Sequence, residues 1–411
     1  MRLSYDFLKN LEKKYGDSFY LLDVNKLRKN FKDFLNAFKK IYPNVKIAYS
    51  YKTNYTPFIC KEINKLGGFA EVVSEMEYDL AVKIGVKPQN IIVNGPFKPK
   101  KALEKFLISG SLVNIDSYRE FKYILELAER YKNKTLRIGF RVNFEINNLK
   151  NSRFGMDVKS KDFMKAFDEL NKKENISVEC IHCHFPNRDL KSFKDRVEKL
   201  FHIVDYLFQY NPPKYIDIGG GFAGKMSEEL EKQFSFKIPK YEDYALVIAS
   251  KFKEKFKTLD IKPTLILEPG TAIVADTMKF VCRIFSIKNI RGKYIANSTG
   301  SRFNFSSLCN NLNMPIGVYS NKKGKYYSDI DIAGYTCIEG DYLYKGFSGY
   351  ISEDDFIVLD NVGSYSIVFK PPFILPNVPI IAVDKDKLIE IKREESIDDI
   401  LFTFNMGDNV E

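Results

Sequence analysis

The nine residues KIAYSYKTN, Lys46 to Asn54, decide how the rest of the chain is read. Ile47, Ala48 and Tyr49 form a short apolar run with strand character. It ends on Lys52, passes through the polar pair Thr53-Asn54, and meets a helix start at Thr56-Pro57, where proline suits the first helical position. A lysine in such a place is either one of this chain's many solvated lysines or an amine held at the mouth of a buried strand. The choice turns on whether the strand-then-helix texture recurs and on what stands at the other strand ends.

It recurs. Between about Lys26 and Gly270, eight β-rich runs alternate with helical segments: VKIAYSYK, FAEVVS, NIIVNG, LVNIDS, LRIGFRVN, VECIHCHF, YIDIGGG and TLILEPG. The segments between them, such as Thr56 to Leu66, Glu75 to Ile84, Ser117 to Tyr131 and Lys191 to Tyr210, carry apolar residues at helical spacing. Eight such units predict an α/β fold, a (β/α)8 TIM barrel, whose active site lies at the C-terminal ends of the strands. Those ends bear Lys52, Ser74, Asn94, Asp116, Arg141 with Asn143, His184, Gly219-Gly220-Gly221 and Glu268. A purely structural barrel does not require so many polar groups at one rim.

After Gly270 the texture changes to runs such as FVCRIFSIKNI, KYIANST and DFIVLD, broken by Gly, Asn and Pro, which predicts a C-terminal β domain. The early run FYLLDV, Phe19 to Val24, also has strand character and is expected to pair with it. The expected division is an N-terminal segment over 1–25, a barrel over 26–275 and the β domain over 276–411.

Composition narrows the function classes. The 411 residues are 45% hydrophobic, enough for a large core, and the net charge of +11 comes from lysines interspersed with Glu and Asp rather than from a basic run. That pattern argues against a nucleic-acid partner and for mild attraction of small anions. The N-terminus lacks the apolar core of a signal peptide, and no apolar run approaches the roughly 18 residues needed to span a bilayer, so a soluble cytoplasmic protein without membrane partners is expected. Six cysteines, Cys60, Cys180, Cys183, Cys282, Cys309 and Cys337, follow no disulfide framework, and free thiols with no bound metal are expected.

Chemistry enters through four groups. A lysine desolvated at a strand mouth can form a Schiff base. The run DIGGGFAG, Asp217 to Gly224, closes a strand with three glycines whose amides can approach a phosphate, although a ligand-free tight turn would look the same. Glu268 in EPG could be a surface charge or a partner for a pyridinium nitrogen. His184 could be a packed core histidine or a ring stacked on a flat cofactor. Together, lysine, glycine turn, carboxylate and flat ring are what pyridoxal phosphate requires of a protein.

With these residues in view, the chain resembles the fold-type III pyridoxal-phosphate decarboxylases, the group that includes ornithine, diaminopimelate and carboxynorspermidine decarboxylases and shares the alanine racemase-like barrel. YSYKTN is similar to the family's cofactor-lysine segment, GFAEVVSEMEY to its second strand, SRFGM to its KFG turn, HCHF to its histidine strand, and DIGGGF and EPG to its phosphate and pyridine motifs. In the β domain, GYTCIEGD resembles the catalytic-cysteine segment and VGSY the segment whose tyrosine reaches the phosphate. The resemblance implies Lys52 as the aldimine lysine, His184 as stacking ring, Gly219 to Gly221 and Tyr365 at the phosphate, Glu268 at the pyridine nitrogen, and Cys337 as proton donor. Arg141 and Gly270 join the expected cofactor contacts, and Thr271, Ile338, Glu339 and Asp341 the expected substrate contacts. It further implies a homodimer with shared active sites.

Two departures bear on the substrate. Diaminopimelate decarboxylases have EPGR and a Cys-Glu pair, whose arginine and glutamate read the distal end of the substrate; here Thr271 and Ile338 stand in those places. The family's HxGS is replaced by His184-Phe185-Pro186-Asn187, which removes the serine expected near the phosphate and leaves Asn187 as its substitute. The expected function is decarboxylation of an amino acid or amino-acid conjugate. The alternatives are an amino-acid racemase of the same fold type, against which Glu268 and Cys337 argue, a non-catalytic pyridoxal-phosphate carrier, against which the β domain argues, and a Schiff-base aldolase.

Overall fold

The computed structural model describes residues 1–146, 152–209, 211–305 and 312–405. They form two compact units, one of Arg28–Gly224 with Lys237–Ile273, the other of Met1–Leu27, Lys225–Phe236 and Val274–Glu411. Strands are numbered along the chain; β1 (Phe19–Asp23) belongs to the second unit.

The first unit is a closed barrel of eight parallel strands. In chain order these are β2 (Val45–Ser50), β3 (Phe69–Val72), β4 (Ile91–Val93), β5 (Leu112–Ile115), β6 (Leu136–Asn143), β8 (Ile176–His182), β9 (Tyr215–Asp217) and β10 (Thr264–Leu267), with β7 (Met156–Asp157) a short addition beside β6. Neighbours pair in the order β5-β4-β3-β2-β10-β9-β8-β6, and β6 closes the ring on β5. Every residue of β4, β5 and β9 is buried, because a parallel strand wrapped by crossover helices has no solvent face. The long apolar runs of the sequence are the record of that burial.

The interior is tight where polar groups cross it. A Cβ on Gly139 would lie 2.0 Å from the side-chain oxygen of Asn114 and 2.6 Å from Cys180 Cβ, so only glycine leaves room for the asparagine. Cys180 and Cys183 are both free and buried. They do have CxxC spacing, but residues three apart on an extended chain point to opposite sides, so they form no pair. Cys60 and Cys282 are also free and buried, Cys337 is free and exposed, and Cys309 lies outside the described residues.

The second unit is mostly sheet. Its remaining strands are β11 (Met278–Ile290), β12 (Lys293–Ser298), β13 (Ile316–Tyr319), β14 (Lys325–Ala333), β15 (Tyr342–Ile351), β16 (Phe356–Leu359), β17 (Ile380–Asp384) and β18 (Lys387–Lys392). Strand β1 runs antiparallel to β11 and parallel to β17, between them in the order β15-β14-β12-β11-β1-β17-β18. The helix Tyr5–Tyr15 lays Leu8, Leu11 and Tyr15 on a core of Phe19, Leu21, Val281, Phe356 and Ile381. Among the described residues, no helix is long and apolar enough to cross a membrane.

Candidate active site

Lys52 sits in the single 3-10 turn Tyr51–Thr53 that leaves β2. Its ammonium pairs with the carboxylate of Glu71 and lies 3.5 Å from Ser50 Oγ. The pairing follows from register, since Ser50 of β2 stands opposite Glu71 of β3. Glu71 is buried, and its other oxygen accepts a hydrogen bond of 3.1 Å from Asn94 Nδ2. The same amide donates to Glu268 Oε1 at 2.6 Å, while Asn94 Oδ1 accepts from Asn114 Nδ2 at 2.8 Å. A hydrogen-bonded chain thus runs from the Lys52 amine through Glu71 and Asn94 to Glu268.

Glu268 follows β10 and converges with His182 and Asp217, their polar atoms all within 4.8 Å of one another. His182 Nε2 stands 3.4 Å from Glu268 Oε2, an ion-pair contact without hydrogen-bond geometry. Burial pushes both carboxyls up. For Glu268 its interactions with His182 and then Lys52 outweigh burial and hold it well below the usual carboxylate range. Asp217, buried against the charge of Glu268, is pushed well above it. The pair therefore keeps a proton on Asp217 and an anion on Glu268. A carboxylate kept anionic at the barrel mouth is the partner a protonated pyridine nitrogen needs.

His184 stands just past β8. Its Nδ1 accepts the Gly220 N–H at 2.9 Å, which fixes the ring's orientation. Burial, and then the Lys52 charge, hold its pKa well below the ordinary histidine value, so the ring is neutral and flat. Gly219 has φ of +69°, and a Cβ there would lie 2.4 Å from the Cys183 carbonyl; at Gly220 it would lie 2.5 Å from the Glu268 carbonyl. Both positions exclude any side chain. Strands β8, β9 and β10 therefore bring His184, the glycine turn and Glu268 into one cluster, because their ends are neighbours in the ring.

The other rim residues have mixed placements. Arg141 Nη1 lies 3.4 Å from Asp116 Oδ1, and its guanidinium covers the Phe154 ring at 4.6 Å. Asn143 Nδ2 donates to the carbonyls of Ser152 and Phe154, and Ser74 Oγ caps the helix Glu75–Lys83 by accepting from Glu77 N. The Asn143 and Ser74 contacts are structural ones. Asn187 Oδ1 is buried without a hydrogen-bond partner among the described residues. Gly270 packs so closely that a Cβ would lie 1.9 Å from Thr53 Oγ1, and Thr271 begins the short helix Thr271–Val274.

In the second unit Cys337 is exposed on the loop between β14 and β15, flanked by exposed Ile338 and Glu339. Asp341, expected at the substrate, turns its carboxylate into this loop instead. It accepts from Ser301 Oγ (2.9 Å), Arg302 N (2.8 Å), Thr336 N (3.2 Å) and Thr336 Oγ1 (2.6 Å), which is close to all that two carboxylate oxygens can take. Tyr365 has φ of +60° and stacks on Phe369 at 5.9 Å.

Sequence reasoning missed Glu71, His182 and Asp217, and it missed Arg196, which is wholly buried under the glycine turn. Glu71 had a signal, being the one charge in the apolar run FAEVVS. Arg196 had none, since an arginine on an amphipathic helix reads as surface.

The barrel, the amine and the buried carboxylate define a class, the pyridoxal-phosphate enzymes on a (β/α)8 barrel. More closely, residues 25–275 match the family described as "Pyridoxal-dependent decarboxylase, pyridoxal binding domain", and the chain belongs to that family. It is a pyridoxal-phosphate-dependent amino-acid decarboxylase, a carboxy-lyase. The diaminopimelate decarboxylase of Aquifex aeolicus is 26% identical, with 96% of this chain and 93% of that protein covered. That of Methanocaldococcus jannaschii is 29% identical over 69% of this chain and 67% of its own. The solved structure of a diaminopimelate decarboxylase from M. jannaschii shares the fold with a TM-score of 0.86, at 23% identity and with 98% and 94% of the two chains covered.

Proposed function

We propose that Lys52 is the amine that carries the cofactor, and that Cys337 delivers the proton that replaces the lost carboxylate of an amino acid other than meso-diaminopimelate. The observation that carries the first part is the chain Lys52–Glu71–Asn94–Glu268, which joins the amine to the buried carboxylate. Bound pyridoxal phosphate supplies the electron sink that loss of carbon dioxide from an α-amino acid requires. The protein's part is positional and electrostatic. Glu71 pairs with and positions the Lys52 amine, the anionic Glu268 favours a protonated pyridine nitrogen, and the neutral His184 offers its face to the ring. The glycine turn lets His184 and the Cys183 and Glu268 carbonyls pack where a side chain would collide, and its backbone amides are the donors proposed for the phosphate. Borohydride reduction followed by peptide mass spectrometry is expected to find the pyridoxyl group on Lys52; a label on another lysine overturns the reading.

For the substrate, the relatives' names favour a diamino acid, and a Helicobacter pylori relative was crystallised with L-lysine. Thr271 and Ile338 stand where the resembling enzymes have the arginine and glutamate that read the distal end. A distal group without that zwitterion, such as a conjugated or polyamine-like chain, suits this pair better, with Glu339 as an alternative anionic contact. Carbon dioxide release is to be screened over amino acids, carboxypolyamines and conjugated diamino acids. Efficient turnover of meso-diaminopimelate refutes the substrate claim alone, and racemisation without carbon dioxide release refutes decarboxylation and leaves only the cofactor claim standing. The working form in this reading is a homodimer whose active sites are shared, as the exposure of Cys337 on its loop suggests.

A further inference from the structure

Arg196 lies on the helix Leu190–Phe208 and is completely buried. Its guanidinium faces carbonyls, not carboxylates. Nη1 donates to Gly220 O at 3.0 Å, Nη2 to Phe185 O at 3.0 Å and to Asn187 O, and Nε to Ser192 Oγ at 3.3 Å. The guanidinium carbon stands 4.1 Å over the Phe193 ring. Among the described residues no carboxylate comes within ion-pair distance of it. Burial lowers its pKa to about 10, which still leaves it protonated at neutral pH. A buried cation that Asp189 favours only from beyond ion-pair distance remains unfavourable unless something else supplies the countercharge.

The carbonyls it holds belong to two turns. Phe185 and Asn187 are in the segment where the resembling family has its phosphate serine, and Gly220 is in the glycine turn. The turns touch here, since a Cβ on Gly221 would lie 3.2 Å from Asn187 O and 3.3 Å from Phe185 O. Peptide geometry then fixes the donors. In a trans peptide the C=O and the following N–H point in opposite directions, and no cis peptide occurs among the described residues. With the Gly220 and Asn187 carbonyls drawn to Arg196, the N–H groups of Gly221 and Arg188 point away from it. Two amide donors thus face outward, with a full positive charge behind them.

We propose that Arg196 is the positioning residue of the phosphate subsite and the buried countercharge of the cofactor's phosphate. It locks the two turns by their carbonyls so that the amides face the anion, and it does from beneath what the missing serine does by contact. The inference rests on the pyridoxal-phosphate reading of the barrel, and its test separates the two claims.

The test compares Arg196→Met and Arg196→Lys with the unaltered holoenzyme. Cofactor release and rebinding are followed by absorbance, for pyridoxal phosphate and for pyridoxal, which lacks the phosphate. Arg196→Met is expected to weaken pyridoxal phosphate on the order of 100-fold and pyridoxal less than about threefold, since removing one member of a buried charge pair has effects of that size. Arg196→Lys, which keeps the charge but not the fork, is expected to fall between. The phosphorus NMR titration of bound cofactor should move to higher pH in Arg196→Met, a change that a merely structural residue would not cause. An unchanged preference for pyridoxal phosphate over pyridoxal, or equal loss of both, overturns the proposal. If Arg196→Met does not fold, the same ratio measured on Arg196→Lys decides the matter. Failure of the unaltered protein to bind pyridoxal phosphate would sink the cofactor reading instead.

Discussion

Asn94 is the residue on which two carboxylates depend. Its amide satisfies both Glu71 and Glu268 inside the barrel, and Asn114 holds it in the orientation that allows this. Replacing it with leucine leaves each buried acceptor short of a donor, at about 1–3 kcal/mol apiece. Asn94→Leu is therefore expected to lower holoenzyme stability by about 2–6 kcal/mol in urea unfolding and to weaken cofactor retention, and Asn94→Asp, adding a third carboxylate, to do worse. A change under about 0.5 kcal/mol would mean the amide is not shared as described. Lys370 is a separate case. Its Nζ is buried without a hydrogen-bond partner among the described residues, lies 5.4 Å from the Tyr20 ring, and has its pKa pushed down by burial to about 7 from 10.5. Between those values the unfolded chain binds the proton and the folded chain does not, so stability rises with pH across that window. Below about pH 7 the full penalty of a buried ammonium applies. Lys370→Met should stabilise the protein by about 2–4 kcal/mol at pH 7 and flatten that rise, as unfolding midpoints measured at pH 7 and pH 10 would reveal.

At the scale of elements, the barrel was legible because parallel strands covered on both faces are written as short, largely apolar runs that alternate with helical ones. Seven of the eight runs contain one observed strand each, from Val45–Ser50 within VKIAYSYK to Thr264–Leu267 within TLILEPG, and the strand Ile176–His182 begins two residues before its run VECIHCHF. The helices between them announce their starts. Ser74 and Glu77 share one such start, where Ser74 Oγ accepts from Glu77 N at 3.2 Å and the Glu77 carboxylate accepts from Val73 N at 2.8 Å; Ser117, Glu120 and Asp116 repeat it after β5. Ser74→Ala is thus expected to cost about 1 kcal/mol of unfolding free energy with kcat unaltered. A large drop in kcat at unchanged stability would return Ser74 to the chemistry. The sequence could not reveal which units the elements join. Lys225–Phe236 lies between two barrel strands, yet it groups with the sheet unit, where Gln233 Nε2 donates to Asn313 O at 2.8 Å. Nor could it distinguish rim groups engaged in caps and turns, such as Ser74 and Asn143, from those joined to Glu268. That distinction depends on register between strands far apart in the chain, which local pattern does not carry. The same limit hid Glu71 as the partner of Lys52 and Arg196 as a buried cation.

At the scale of the whole molecule, the chemistry proposed here draws on both units, since Lys52 is in the barrel and Cys337 and Tyr365 are in the sheet unit. Cys337 is held out on a loop braced from within by Asp341, a carboxylate so enclosed that a Cβ on Gly334 would lie 2.1 Å from it. The sheet unit leaves Phe303, Phe369, Phe373 and Ile374 exposed, with the Phe303 and Phe373 rings 5.9 Å apart. Large apolar side chains grouped on a surface are costly to leave in water and favour a covering partner. If that partner is a second copy, and its barrel receives this thiol, then each active site takes Lys52 from one subunit and Cys337 from the other. The claim is decided by mixing two inactive proteins, Lys52→Ala and Cys337→Ala, under conditions that allow subunit exchange. In a heterodimer one site combines both defects and the other has neither. Random exchange makes half the dimers mixed, so about a quarter of wild-type activity should return, with kcat per restored site equal to that of the unaltered enzyme. Exchange shown by mass spectrometry without any recovery would place Lys52 and Cys337 of one site on the same chain. A protein that sediments as a monomer at assay concentration and remains active would end the shared-site proposal altogether.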